Sequence, residues 1–338
     1  MGGSRRPTIK TVAARAGVGR TTVSRVLNGS PLVSDQARRA VEEAIADLGY
    51  VPNSLARGLV RSRADSIALV IPESESRLGA EPYFSAVIRG VSRALAGTPM
   101  QLLLTLVRDQ LELDRLVDVL TERRVDGVLL VSVHRHDPLP DLLERLELPT
   151  VLAGRRSSDE PLVHAHSDNV GGASAAVAHL WERGHRSICT IAGPPDMEVA
   201  EARLRGWRSG LAAAGSTARQ ELVARGDFTE GGGRLAMREL LARQPALDAV
   251  LAASDVMAAG ALAELRAQGR RVPDDVALVG FDDSIVARHT DPPLTSVRQR
   301  MDELGRTITE LLLMEIREPG RAPRRTVLPT ELVVRESS

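Results

Sequence analysis

Arg20, Thr21, Thr22, Ser24 and Arg25 crowd one short stretch of the chain, and each can hydrogen-bond to a base edge or a phosphate. Arginine grips guanine O6 and N7 with two hydrogen bonds, worth about 1–3 kcal/mol of discrimination against a wrong base. The chemistry implied is recognition of a duplex, with no bond broken. The elements that must hold these groups can be read around them. Val12, Ala13 and Ala16 give residues 9–16 one apolar face, and Ala13 is small where a second helix must cross closely. Gly17 falls where the chain turns sharply, a position that commonly needs positive φ. Val23 and Val26, three apart, lay the second helix on the first. The pattern is that of a helix-turn-helix whose second helix offers its N-terminal end to the major groove. A small helical hairpin that merely packs is the alternative.

Charge points the same way. The 338 residues carry 44 basic and 44 acidic side chains, so net charge alone suggests no polyanionic partner. Residues 1–63, however, hold eleven Lys and Arg against four acids, which makes the head +7 and the remainder −7. That asymmetry is expected of a nucleic-acid-binding module joined to an acidic body. Lys10 is the one lysine, which reflects codon composition more than function. No N-terminal apolar run suggests a secretory signal and no stretch of 18 apolar residues suggests a membrane span, so a cytoplasmic, nucleoid-associated protein without a membrane partner is expected.

Other groupings carry less. His134-Arg-His136 and His164-Ala-His166 each place two imidazoles at i and i+2, but further metal ligands are missing, so no metal is expected. Asp255 with Asp282-Asp283 has no nucleophile or phosphate-cradling loop beside it, so neither catalytic residues nor a cofactor are expected. Cys189 sits in the apolar run 187–192 and reads as a buried strand residue.

Beyond the first two helices, Ser34 and Gly49 suit the ends of a third helix, whose Val41, Ile45 and Leu48 close a small core. A short hinge helix starting near Asn53 would present Leu55 and Leu59 with Arg57 and Arg61; a plain linker is the alternative. From residue 66 β-branched runs at 67–71, 101–107, 125–131 and 150–153 alternate with helical segments. A second series follows from 170 to 280. Two sets of βα units imply two doubly wound, parallel-sheet subdomains, with ligand at the carboxyl ends of the strands between the lobes. The late segments 295–299, 301–316 and 326–335 are expected to cross back. The expected division is a helix-turn-helix domain at 1–50, a hinge at 51–65 and an effector and dimerisation domain at 66–338. Within the last, the first lobe takes about 66–166 plus 296–325 and the second about 167–295 plus 326–338.

Several motifs agree on one family: Thr8-Ile-Lys-Thr-Val-Ala13, Thr22-Val-Ser-Arg-Val-Leu-Asn28, Leu48-Gly-Tyr-Val-Pro-Asn53, Ala56-Arg-Gly-Leu59, Arg203-Leu-Arg-Gly-Trp207, Gly280-Phe-Asp-Asp283 and Pro293–Gln299. Over essentially its full length the chain resembles the lactose-repressor (LacI)/GalR family of bacterial transcription regulators. The resemblance implies a periplasmic-binding-protein-like body and a homodimer bound to a pseudo-palindromic operator. It also implies a repressor whose operator affinity a small molecule, a sugar, controls. DNA contacts then fall to Thr8, Arg20, Thr21, Thr22, Ser24, Arg25, Asn28, Ala56, Arg57 and Leu59, the last wedging into the minor groove. The effector falls to Tyr83, Phe84, Arg203, Phe228, Ser254, Asp255, Asp282 and Gln299. Arg203 and Asp282 suit hydroxyls that both donate and accept; an ion pair between lobes is the alternative. For Tyr83, Phe84 and Phe228 it is core packing. The chain departs from the family's pattern at Gly19 and Ser254, where relatives place Ser and Asn, and at Gly58, a poor helix former. Control by a partner protein, a transport receptor and a sugar-metabolising enzyme are the rival functions.

Overall fold

The computed structural model describes residues 7–27, 30–50, 64–322 and 324–338. The chain divides into a head, Met1–Ala64, and a body, Asp65–Ser338. The expected hinge helix, with Ala56, Arg57 and Leu59, lies outside the described residues, as does Asn28.

In the head, α1 (Ile9–Ala16), α2 (Arg20–Leu27) and α3 (Asp35–Leu48) enclose Val12, Ala13, Val23, Val26, Val41 and Ala44. Thr8 caps α1 by accepting from the Thr11 amide, and the Thr11 hydroxyl answers the Thr8 amide at 2.8 Å. Gly17 ends α1 at φ +66°, the left-handed geometry expected of it. Ser34 caps α3 and Gly49 closes it at φ +59°.

The body is two six-stranded sheets flanked by helices. The first lobe runs β1 (Ser66–Ile71), α4 (Glu75–Ala80), α5 (Pro82–Leu95), β2 (Gln101–Leu106), α6 (Gln110–Thr121), β3 (Gly127–Val131), α7 (Leu139–Arg145), β4 (Thr150–Ala153) and β5 (Val163–Ser167). The second runs α8 (Asn169–Glu182), β6 (Ile188–Ala192), α9 (Glu198–Ala213), β7 (Val223–Arg225), α10 (Glu230–Arg243), β8 (Ala249–Ala252), α11 (Asp255–Ala267), β9 (Ala277–Asp282), α12 (Ile285–His289) and β10 (Thr295–Arg298). The chain returns through α13 (Met301–Arg317) and β11 (Arg325–Leu328) to the first lobe and ends on β12 (Glu331–Val333) in the second. The sheet orders are β11-β5-β4-β3-β1-β2 and β12-β10-β9-β8-β6-β7. All pairs are parallel except β10 with β12. Parallel strands covered on both faces read as continuous apolar runs, and β1, β3 and β6 are buried over nearly their whole length.

Two expectations about the return segments are corrected. Residues 296–298, expected in the first lobe, belong with Thr295 to the second lobe's sheet, paired with β9. The late strand expected over 326–335 is two strands, one pairing with β5 and the other with β10. Pro329 lacks an amide hydrogen and interrupts the ladder between them. The lobes are therefore joined near residues 168, 299–300 and 329–330.

Each sheet places its first and third strands side by side, β1 with β3 and β6 with β8, so the chain leaves them towards opposite faces. That switch point opens a crevice at the strands' carboxyl ends. Helix pairs beside it pack backbone to backbone. A Cβ on Gly90 of α5 would stand 2.0 Å from the Asp302 carbonyl oxygen of α13, and one on Gly305 2.2 Å from that of Val87.

Candidate functional site

In the head, α2 buries Val23 and Val26 and leaves Arg20, Thr21 and Arg25 exposed, with Thr22 and Ser24 half-buried beside them. The spacing of the two valines fixes which face is free. Thr8 is committed to capping α1, so its side chain orders the helix start. The Gly19 carbonyl accepts from the Thr22 and Val23 amides, so α2 starts at the arginine-bearing turn.

In the body, the loops after the strands enclose a cavity of about 230 Å³. Nearly every strand-end loop involved sends in polar groups. Arg77, Glu81 and Tyr83 follow β1, Ser132 follows β3, and Arg155 follows β4. Asp168 and Asn169 follow β5, Glu198 and Arg203 lie on α9, Phe228 follows β7, Asp282 ends β9 and Gln299 follows β10. Tyr83, Arg203, Phe228, Asp282 and Gln299 thus come together, as their places in the chain suggest. The aromatic ring of Phe228 also has the Arg77 guanidinium 5.1 Å from its centroid.

The remaining three candidates do not line the cavity. Phe84 is 1% exposed and points into the first lobe's core, because on α5 it shares a face with Val87 and Val91. It touches the site only through Tyr83, edge to face at 5.3 Å. Ser254 is buried and caps α11 by accepting from the Met257 amide at 3.2 Å. Asp255 is fully buried and accepts from the Ser296 hydroxyl (2.6 Å) and the Ser284 amide (2.7 Å). It braces the loop that carries Asp282 and does not face a ligand.

Arg203 is the most constrained group. Its Nε donates to Asn169 Oδ1 at 2.9 Å, one terminal nitrogen donates to the Ala253 carbonyl and lies 3.5 Å from Asp282 Oδ1, and the guanidinium covers Phe281 at 3.9 Å. Gln299 Nε2 donates to the same Asp282 oxygen at 2.6 Å. Burial raises the Asp282 carboxyl above its ordinary range, against the opposing pull of Arg203 and Gln299. Burial likewise raises Asp255, with the Asp282 charge adding to the shift. Glu81 is pushed up to about 7 by burial, although Arg77 opposes it at 2.5 Å. Ser132, Phe228 and Asp282 all have positive φ, at 65°, 66° and 112°. Such strain costs on the order of 1–3 kcal/mol per residue and gathers where function requires a particular side-chain direction.

Reasoning from sequence missed Arg77, Glu81, Ser132, Arg155, Asn169 and Glu198. A usable signal existed for Ser132 and Arg155, since a polar residue just past an apolar strand run marks the carboxyl edge of the sheet; Arg77, Glu81 and Glu198 lie well beyond their strands, and Asn169 follows one with little apolar character. Among the described residues no cluster of three or more His, Cys, Asp or Glu is placed to hold a metal. His164 and His166 stack at 5.7 Å with their Nδ1 atoms on backbone carbonyls, and burial lowers both. Cys189 is buried, with its thiol pushed up to about 12. No helix among the described residues is long and apolar enough to cross a membrane.

A two-lobed ligand receptor carrying a helix-turn-helix on the same chain is a ligand-responsive transcription regulator. Residues 8–53 match the bacterial regulatory proteins of the lacI family, and residues 177–338 match the periplasmic binding protein-like domain. The HTH-type transcriptional regulator CelR of Thermobifida fusca is 50% identical over 335 residues, 98% of each chain. The HTH-type transcriptional repressor CytR of Escherichia coli (strain K12) is 33% identical over 98% of this chain and 96% of its own. Among solved structures, a CelR–cellobiose complex superposes with a TM-score of 0.79 at 48% identity, covering 98% of this chain and all of the other. The Lac repressor dimer bound to operator and the anti-inducer ONPF gives 0.86 at 27% identity, over 98% of this chain and 99% of that one. The chain belongs to the LacI family of bacterial transcription regulators.

Proposed function

We propose that this regulator is a repressor that binds a pseudo-palindromic operator as a homodimer, and that a neutral sugar in the interlobe cavity changes its operator affinity. The ligand class favoured is a glucose disaccharide such as cellobiose. The observation that carries the reading is the balance of the cavity wall. Arg77, Arg155, Arg203 and Arg325 face Glu81, Asp168, Glu198 and Asp282, with Tyr83 and Phe228 between them. Such a wall offers donors and acceptors in equal measure, which suits hydroxyls that both give and take a hydrogen bond. It offers no surplus of cations for a phosphate. Aromatic faces suit the apolar C–H face of a pyranose ring. The solved complex of CelR, a 48%-identical structure, holds cellobiose, which supports the ligand class.

Arg20, Thr21, Thr22, Ser24 and Arg25 read base edges and phosphates, and Arg203, Asp282, Gln299, Tyr83 and Phe228 hold the effector. The protein has no catalytic role in this reading and works in the cytoplasm. Operator duplex selected from a random pool, labelled for anisotropy, tests the proposal together with calorimetry. Cellobiose should bind and shift the operator titration. Failure of cellobiose both to bind and to move that titration overturns the sugar reading, and absence of any preferred duplex overturns the operator reading.

A further inference from the structure

The first lobe grips the start of α9 at several points, and those at His134 and Arg135 lie outside the ligand cavity. His134, three residues past β3, places Nδ1 2.7 Å from Asp196 Oδ2 and Nε2 3.1 Å from Glu73 Oε1. The Arg135 amide donates to the Asp196 carbonyl at 2.8 Å, and Arg155 reaches Glu198 Oε1 at 3.2 Å. Glu73 is itself fixed by the Ser132 hydroxyl at 2.6 Å and by Arg77. An imidazole with a carboxylate on each nitrogen must donate from both, so it is held as the imidazolium.

The arrangement spans the lobes. Glu73 and His134 belong to the first, and Asp196 leads into α9 of the second. Ser132, Val133 and Met197 line the effector cavity, whereas their neighbours His134 and Asp196 face a separate outer groove. His134 therefore crosses the cleft without bordering the cavity. Asp196 leads into, and Glu198 begins, the helix on which Arg203 enters the site.

We propose that His134 is a positioning residue, a latch that ties Asp196 at the head of α9 to Glu73 of the opposite lobe and so sets the fraction of closed, effector-competent receptor. The proposal rests on the effector reading above. A receptor that is competent for only a fraction of the time binds with its intrinsic affinity reduced by that fraction. Loosening the latch then weakens effector binding although no ligand contact is lost.

The test is a double-mutant cycle on the full chain with His134→Gln, Asp196→Asn and the pair, read by cellobiose calorimetry at neutral pH and by small-angle scattering without ligand. Each single variant should weaken cellobiose about tenfold, equivalent to about 1.4 kcal/mol. The pair should weaken it no further, because both changes break one contact. Scattering should show each single variant more open than the parent. Unchanged affinity in both single variants, or losses that add in the pair, overturns the latch. If the parent fails to bind cellobiose, the effector reading fails and scattering alone decides the latch, with parent-like curves for both variants overturning it.

Discussion

Replacing Arg203 with alanine tests how the cavity is held together. The guanidinium is 6% exposed and serves Asn169, the Ala253 carbonyl and Asp282 while covering Phe281. Removing it leaves one buried carboxylate without its cation and two acceptors without donors. Breaking a buried ion pair from one side costs about 3–5 kcal/mol, mostly through the stranded charge. Asp282 can relieve part of this by taking up a proton, and its pKa already lies above the ordinary carboxyl range. A carboxyl raised on folding adds stability below its unfolded pKa and forfeits it as pH rises through the folded value. The deficit of Arg203→Ala relative to the parent should therefore be largest at neutral pH and shrink towards pH 4.5. Urea denaturation of both proteins across that range measures it. The variant should also lose effector binding while keeping its operator preference. A stability loss below about 1 kcal/mol at pH 7, the level of an exposed pair, with unchanged cellobiose affinity would refute both the buried pair and the ligand role.

Further expectations concern the reader, the packing and the latch. Arg20→Ala should cost about 1–3 kcal/mol of operator affinity and relax preference at one base position in a selection experiment, whereas uniform loss across sequences would reassign Arg20 to phosphate. Gly260→Ala sets a methyl 2.0 Å from the Glu230 carbonyl oxygen where α10 and α11 touch, so about 1–3 kcal/mol should be lost in denaturation; an unchanged midpoint would show that the helices can part freely. Hydrogen bonding to Glu73 raises His134 to about 9, with burial opposing and Asp196 adding to the rise; Arg77 and Asp137 complete the charges around it. A raised imidazole contributes fully below its unfolded pKa and fades as pH climbs through the folded one. Cellobiose affinity should accordingly fall from neutral pH towards about 9 in the parent and stay flatter in His134→Gln. Equal slopes would remove His134 from the closure.

The parts of the fold that show in the sequence are those set by local periodicity. Val23 and Val26 orient α2 without reference to anything distant, and the apolar runs at 67–71 and 188–192 have one reading in a parallel sheet. The aspects that escaped depend on partners far along the chain. The β5 run Val163-His-Ala-His-Ser167 has little apolar signal, and only its place between β4 and β11 makes it a strand. Phe84 and Tyr83 are neighbours, and helix phase, which adjacent aromatics do not reveal, sends one to the core and the other to the cavity. Ser254 looks like a ligand slot, but the fold buries it as the cap of α11, off the cavity wall. His134, Glu73 and Asp196 come together only through the folding of two lobes.

The cavity and the connections between the lobes share residues, and this bears on how a ligand could shift the receptor. Asp168 and Gln299 stand where the chain passes between the sheets, and both line the cavity. Lobe rotation needs φ and ψ changes only in such short connections. A ligand touching Arg203, Asp282 and Gln299 alone would bind open and closed forms equally and shift nothing. Reversing a 1:99 equilibrium takes about 10⁴-fold preference for one form. That preference must come from contacts made on closure, which places it on Tyr83, Glu81, Arg77 and Arg155 across the cleft. Substitutions on the second lobe should therefore weaken effector binding and leave its allosteric effect at saturation unchanged. Tyr83→Ala should reduce the effector's leverage on operator binding more than its affinity. The measurement is the ratio of operator dissociation constants with and without saturating cellobiose, and an unaltered ratio in Tyr83→Ala would place the differential contacts elsewhere.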